Sequence, residues 1–335
     1  MTLLFHECMR NGDPAAELAP YSPDERRELL DAALAPTRPT GRRSRVRVLL
    51  AACAALVVGG LGYQSVTASI GTAQAAEVLT QAAIHASDPP AKPGQYWEIT
   101  RTGTNLYGDT ADRLFLVRTR AIDYVAVDGR RPSWFVRGGA STIRQLSGPS
   151  GPATWAGRDA WTTNLSPEQK PAWWSEPSPS WFASLPRDTA ALRARLYADT
   201  AGHGSNPDDE AFVYVADVLR SGVVPADLRA ALYRVLATVP GTTVTERHVT
   251  SDDGRSGVAI GRNDIFGSHN ELIIDPDTGQ VIGERSFMQL TPFVGERIAL
   301  GTGVRRRLVD SIPADVRRTA DRQTCEVVDQ EVLCR

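Results

Sequence analysis

The stretch RRSRVRVLLAACAALVVGGLGYQSVT, residues 42–67, divides the chain in two. Arg38, Arg42, Arg43, Arg45 and Arg47 crowd together, and from Val48 to Val66 the only ionisable side chains are Cys53 and Tyr63. A bilayer core about 30 Å thick is crossed by about 20 helical residues. Val46–Thr67 meets that length if the Arg47 side chain snorkels back to the headgroups. Gly59 and Gly60 would each cost a soluble helix about 1 kcal/mol, but lipid penalises an unpaired backbone more than a flexible one. A transmembrane helix is therefore expected over 48–67. The other reading, a buried core helix, does not explain the arginines. Lysine and arginine stay on the cytoplasmic side, and neither occurs between Val48 and Lys92. Residues 1–47 are thus expected to form a short cytoplasmic segment, and 68–335 an extracytoplasmic domain of the cell envelope. Ala73-Gln74-Ala75 has the form of a signal-peptidase site. The segment before the apolar run is too long for an ordinary n-region, however, so a retained single-pass anchor is expected.

The 335 residues suffice for one large domain or two average ones, and a net charge of −2 gives no field that would draw the chain to nucleic acid. Cys8 and Cys53 fall before or within the membrane. Cys325 and Cys334 form an even pair outside it, which reads as a disulfide, worth about 2.5–3 kcal/mol in the chain-entropy model. Two thiolates with no histidine nearby cannot complete a zinc site.

Before the membrane, Ser22-Pro23-Asp24-Glu25 is an N-terminal helix signal, followed by the stripe Leu29, Leu30, Ala33 and Leu34. Such a helix is too short to stand alone and either awaits a partner or is a solvated stub. Beyond the membrane, 75–86 reads as a helix ended by Pro89-Pro90 and Pro93-Gly94. Strands follow at Tyr96–Thr100, Leu114–Val117, Tyr124–Val127 and Ser133–Val136, the last two joined at Asp128-Gly129, giving an antiparallel meander. Residues 149–186 change character, holding Trp155, Trp161, Trp173, Trp174 and Trp181 among many prolines. Proline disfavours regular ladders, so an irregular insertion is expected. Capped, striped helices return at Asp188–Asp199, Pro207–Leu219 and Pro225–Val239. Two strand pairs then close the domain, Thr243–Thr250 with Gly257–Arg262 and Glu271–Ile274 with Val281–Arg285. This order is that of an α+β fold.

Several segments together carry a family resemblance: Ala75-Ala76-Glu77-Val78-Leu79, Pro93-Gly94-Gln95-Tyr96-Trp97, Leu185-Pro186-Arg187-Asp188, the run from Pro225 to Tyr233, and that from Glu271 to Gly279. From the arginine cluster to about Arg285 the chain resembles an uncharacterised family of actinobacterial single-pass membrane proteins. The resemblance implies an association with extracytoplasmic-function sigma factors. It also implies an outer domain similar to the half-barrel of lipoprotein carriers and of a periplasmic anti-sigma regulator, a curved antiparallel sheet closed by helices around an apolar groove. The insertion of tryptophans and helices departs from that plan.

No residues assemble into a catalytic motif. Asp275, Asp277 and Gly279 have a superficial calcium-loop spacing but lack the later glutamate and read as a hairpin turn. His6, His85, His203, His248 and His269 show no ligand spacing, and no Gly-x-Ser-x-Gly elbow occurs. Asp208-Asp209-Glu210 reads as the acidic first turn of a helix. The five tryptophans are the candidate ligand-binding residues, as apolar rims, stacking faces or protein anchors, unless they cap the core. No catalytic residue, metal or cofactor is expected. The expected function is a membrane-anchored, non-enzymatic sensory or regulatory binding protein. It would take an apolar ligand or envelope protein outside and a sigma factor or anti-sigma partner at residues 1–47. A membrane-tethered lipid or lipoprotein carrier is the alternative.

Overall fold

Strand-forming residues fall into two blocks separated by helices, and the sheet is made by joining the first strand of one block to the last of the other. The computed structural model describes residues 72–335, apart from 111–112, 152–160, 166–172, 205, 265–266, 290–296, 321–324, 329–330 and 335. The described residues belong to one compact unit, Ser65–Arg335. The expected cytoplasmic segment 1–47, with its helix after Ser22, and the expected membrane helix 48–67 lie outside the described residues. Among the described residues no helix is long and apolar enough to cross a membrane.

The fold is α+β. Helix α1, residues 72–85, leads into β1 (Tyr96–Thr110), β2 (Arg113–Ala126), β3 (Ser133–Arg137), β4 (Ser141–Gln145) and β5 (Trp161–Leu165). Four helices follow: α2 (Pro179–Ser184), α3 (Thr189–Asp199), α4 (Pro207–Arg220) and α5 (Ala226–Leu236). The second block comprises β6 (Thr243–Thr250), β7 (Ser256–Asn263), β8 (His269–Asp275), β9 (Gln280–Gln289) and β10 (Arg297–Val309). Helix α6 (Ala314–Ala320) and a hairpin of β11 (Cys325–Val328) and β12 (Glu331–Cys334) come last. The large open sheet runs β5-β3-β2-β1-β10-β9-β8-β7-β6, with β4 beside β2, and its strands pair antiparallel throughout the described residues. The two blocks meet at β1–β10, in register from Tyr96 opposite Val309 to Thr104 opposite Gly301.

The helices form where the sequence gives both a start and a stripe. Asp188 caps α3 by accepting from the Ala191 N–H at 2.9 Å, and Asn206 caps α4 with Pro207 in its first turn. Leu228, Ala231, Leu232, Val235 and Leu236 line one side of α5 at helical spacing and are fully buried. They share the main core with Leu79 of α1, Val215 and Leu219 of α4, and Trp97, Ile99, Val125, Ile260 and Leu272 of the sheet. Each such side chain contributes about 1.5–3 kcal/mol by leaving water. A smaller cluster of Tyr96, Tyr124, Ala126 and Ile312, with Val316 of α6, forms separately.

The β6–β7 hairpin bends so far that its tip meets the centre of the sheet. Arg255, between these strands, donates to the carbonyls of Ile282 (3.2 Å) and Val304, and Asp253 lies 3.4 Å from Arg305 of β10. A Cβ at Gly303 would collide with Asp253, so a residue without a side chain is required where the tip crosses. At the opposite end, Gly279 (φ 60°) turns β8 into β9 beneath α1, and a Cβ there would strike the Ala82 carbonyl. Tyr233 of α5 donates to the Gly279 carbonyl at 3.0 Å.

A buried charge cluster joins these parts. Asp88, in the loop after α1, accepts from Arg229 of α5 at 3.0 Å and from Arg306 of β10 at 2.8 Å. Its other oxygen accepts the Ala226 N–H at 2.9 Å. Burial raises the Asp88 carboxyl, but the two arginines outweigh it and hold it below the usual range. The Arg306 guanidinium also lies 3.5 Å above the Trp97 ring centre.

Several sequence expectations need correcting. The strands expected at Leu114–Val117 and Tyr124–Val127 are one strand, β2, because Arg118 and Arg120 are exposed on it and break only the apolar pattern, leaving the ladder intact. The expected irregular insertion contains β5, since Trp161–Leu165 falls between prolines and pairs with β3. The second block holds β10 as well as the two expected pairs. Its Gly301, Gly303 and consecutive arginines disguise a central strand. The register of β11–β12 sets Cys325 opposite Cys334, the backbone placement that the expected disulfide needs. Replacing Asp88 with Ala leaves two buried cations without a counter-charge. It is expected to destabilise the domain by about 3–5 kcal/mol, read as the loss of urea midpoint at unchanged m-value.

Candidate functional site

Helix α4 carries Tyr214, Asp217 and Arg220 along its length, and these meet two different kinds of neighbour. At its middle lies an aromatic cluster. The Tyr214 ring stacks on Trp174 with centroids 6.0 Å apart, and Trp173 meets Tyr214 edge-on at 6.3 Å. Trp174 in turn meets Trp181 of α2 edge-on at 5.2 Å. Trp174 is fully buried and its indole N–H donates to Asp199 at 2.8 Å, which also accepts from Arg195 at 2.6 Å. Local sequence sets this up: Ser178 accepts from the Trp181 N–H and starts α2, while Arg195 and Asp199 stand one turn apart on α3.

Of the tryptophans singled out from the sequence, Trp174 and Trp181 belong to the core, and Trp173 packs against it half-buried. Trp161 lies on β5, opposite Arg137, and Trp155 is outside the described residues. The structure thus gathers Trp173, Trp174 and Trp181 around Tyr214. Neither Tyr214 nor Asp199 stands out in the sequence, because each sits inside an ordinary helix.

At the end of α4 the neighbours are charged. Asp217 lies 2.5 Å from Arg220, and Arg220 lies 3.4 Å from Glu284 of β9. Arg101 of β1 donates to the carbonyls of Arg220 (3.0 Å) and Ser221 (2.8 Å) and pairs with Asp123 of β2, which also binds Arg137 at 2.6 Å. Burial raises the Asp123 carboxyl, yet Arg101 and Arg137 more than offset it and hold it low. For Asp217 the balance reverses. Burial pushes it up to about 6, Arg220 opposes, and Glu284, Glu210 and Glu176 add to the rise. A perturbed carboxyl at a helix–sheet contact is a functional-site candidate on physical grounds.

A second polar cluster lies on β6–β9. Glu271 accepts from Arg285 at 2.6 Å and from His269 at 3.0 Å, while the other ring nitrogen of His269 is 2.7 Å from the Asn263 side-chain oxygen. Both ring nitrogens of His269 are thus engaged by neighbouring side chains. Burial raises Glu271, but hydrogen bonds from His269, Thr245 and Arg285 bring it down to about 2. The Asp275 carboxylate is occupied by its own turn, accepting from Asp277 N–H at 3.0 Å and Thr278 hydroxyl at 2.7 Å. Among the described residues no group of three His, Cys, Asp or Glu side chains is placed to hold a metal ion.

No protein-family model matches the chain, and no curated protein is significantly similar to it in sequence.

Two outcomes follow from this geometry. Trp174→Ala should cost about 3–5 kcal/mol and Trp173→Ala about 1 kcal/mol, compared by chemical denaturation. The low carboxyl of Glu271 contributes stability that is whole above about pH 4.5 and lost as pH falls through 2. Glu271→Gln should accordingly remove about 3 kcal/mol at pH 7 and flatten the acid-unfolding curve.

Proposed function

We propose that the chain is a membrane-anchored, non-enzymatic binding protein of the cell envelope. Residues 48–67 cross the bilayer once, residues 1–47 stay in the cytoplasm, and the α+β domain lies outside. The observation that carries this reading is how little chain separates the apolar run from the fold. Helix α1, described from residue 72 onward, already buries Ala75, Leu79 and Ala82 in the core. The intervening residues span at most about 18 Å, so the domain is held against the membrane surface, where it serves as a sensor coupled to residues 1–47. The partner on the cytoplasmic side is a sigma factor or its anti-sigma regulator, in keeping with the family resemblance, and the outer domain takes an apolar ligand or an envelope protein.

A tethered lipid or lipoprotein carrier is the second reading. The far-bent β6–β7 hairpin favours it, since a sheet that curls so strongly is in keeping with a half-barrel. Full-length protein taken from gently solubilised membranes, with mass spectrometry of bound proteins and lipids, separates the two. A sigma or anti-sigma factor that is retained with the intact chain and lost on deleting 1–47 is the expected result. Acyl lipid with no protein partner transfers the weight to the carrier, and neither kind of cargo defeats both.

A further inference from the structure

We propose that the contact between α4 and β9 is an acid-tightened clasp, in which Asp217 and Glu284 compete for the single guanidinium of Arg220 and a proton taken up by Asp217 draws the end of α4 onto the sheet. The inference goes beyond the binding reading and does not depend on it.

The geometry supplies one cation for too many anions. Arg220 contacts Asp217 on its own helix at 2.5 Å and Glu284 on the sheet at 3.4 Å. Glu210 on α4 and Glu176 in the segment before α2 add negative charge around the same carboxyl. Another cation of the sheet at this end of α4, Arg101, is committed to Asp123 and to the two carbonyls that end the helix, where a helix terminus already carries partial negative charge. Asp217 has only 16% of its side-chain surface exposed and Glu284 26%, so water screens their repulsion weakly. Neutralising Asp217 leaves Arg220 to Glu284 alone, a pair that links helix and sheet beside the bonds from Arg101 and the Arg262–Asp209 pair.

The sign follows from the folded carboxyl lying near 6, above its ordinary 3.8. A folded state that binds the proton more tightly than the unfolded one gains stability as pH falls through 6, and the gain is complete below the ordinary value. Over pH 7.5 to 5.5 acidification therefore tightens α4, opposite to the general trend of acid unfolding.

Hydrogen exchange of the α4 amides in the full-length chain, in detergent and corrected for intrinsic exchange rates, tests this. Protection over residues 208–222 is expected to rise about fourfold between pH 7.5 and 5.5, the change that a carboxyl titrating near 6 in the closed state produces over that range. Asp217→Asn should be fully protected at pH 7.5 and show no further gain. Glu284→Gln, a milder change, should move the gain to lower pH. His203 places its imidazole 6.4 Å from the Tyr214 ring, and His203→Gln should keep the gain. A gain that persists in Asp217→Asn, or one that vanishes in His203→Gln, overturns the clasp.

Discussion

Two arginines removed from water need a counter-ion, and Asp88 supplies it to both. Arg229 keeps 3% of its side-chain surface and Arg306 10%, and an isolated buried guanidinium would cost several kcal/mol. Arg229 belongs to the helical layer, Arg306 to the central strand, and Asp88 to the link between α1 and β1. Satisfying the charges therefore fixes three separate parts of the chain relative to one another. The Nε atoms of both arginines remain buried without a partner among the described residues, so the cluster is a costly one. What it provides is position: Arg306 stands opposite Ile99 in the β1–β10 ladder, and shifting that register by one residue would turn its guanidinium away from Asp88. Glu98 and Arg307 pair across the same ladder at 2.7 Å, but Arg307 is 67% exposed, and screening makes that pair a minor contributor.

How legible each element is in the sequence depends on whether its signal is local. The helices from 188 to 239 announce themselves through Asp188, Pro207 and Pro225 and through leucines at helical spacing, and the observed spans differ from the expected ones by a few residues at most. The turns at Gly129, Gly254 and Gly279 are equally local. Strand β10 is disguised because its polar residues meet distant parts of the chain, and β2 because two of its arginines are exposed. Arg306 looks like a solvated residue until Asp88, over two hundred positions earlier, folds against it. Gly301 and Gly303 look like a loop until the β6–β7 tip needs space above them. Within β2, Arg118 and Arg120 break the apolar alternation without interrupting the ladder.

The candidate site divides in the same way. Composition draws the eye to the tryptophans, and three of them do gather, but the residues that arrange them are Tyr214 and Asp199. The pairing of Asp217 with Arg220 is visible as a helical spacing. The second carboxylate, Glu284, reaches the pair only through β9, and no spacing in the sequence announces it.

The sheet's central seam also sets an order of events. The first strand of the domain has its β10 partner at Arg297–Val309, so the β1 edge facing that strand stays unpaired until nearly the whole domain has been made. An unpaired strand edge is a place where another chain can add itself, and β1 is one of the longest strands present, at 15 residues. For a chain that emerges N-terminus first, the helices at 189–236 are available early, while the seam closes late. Until then, β1 would profit from a chaperone that occupies its open side.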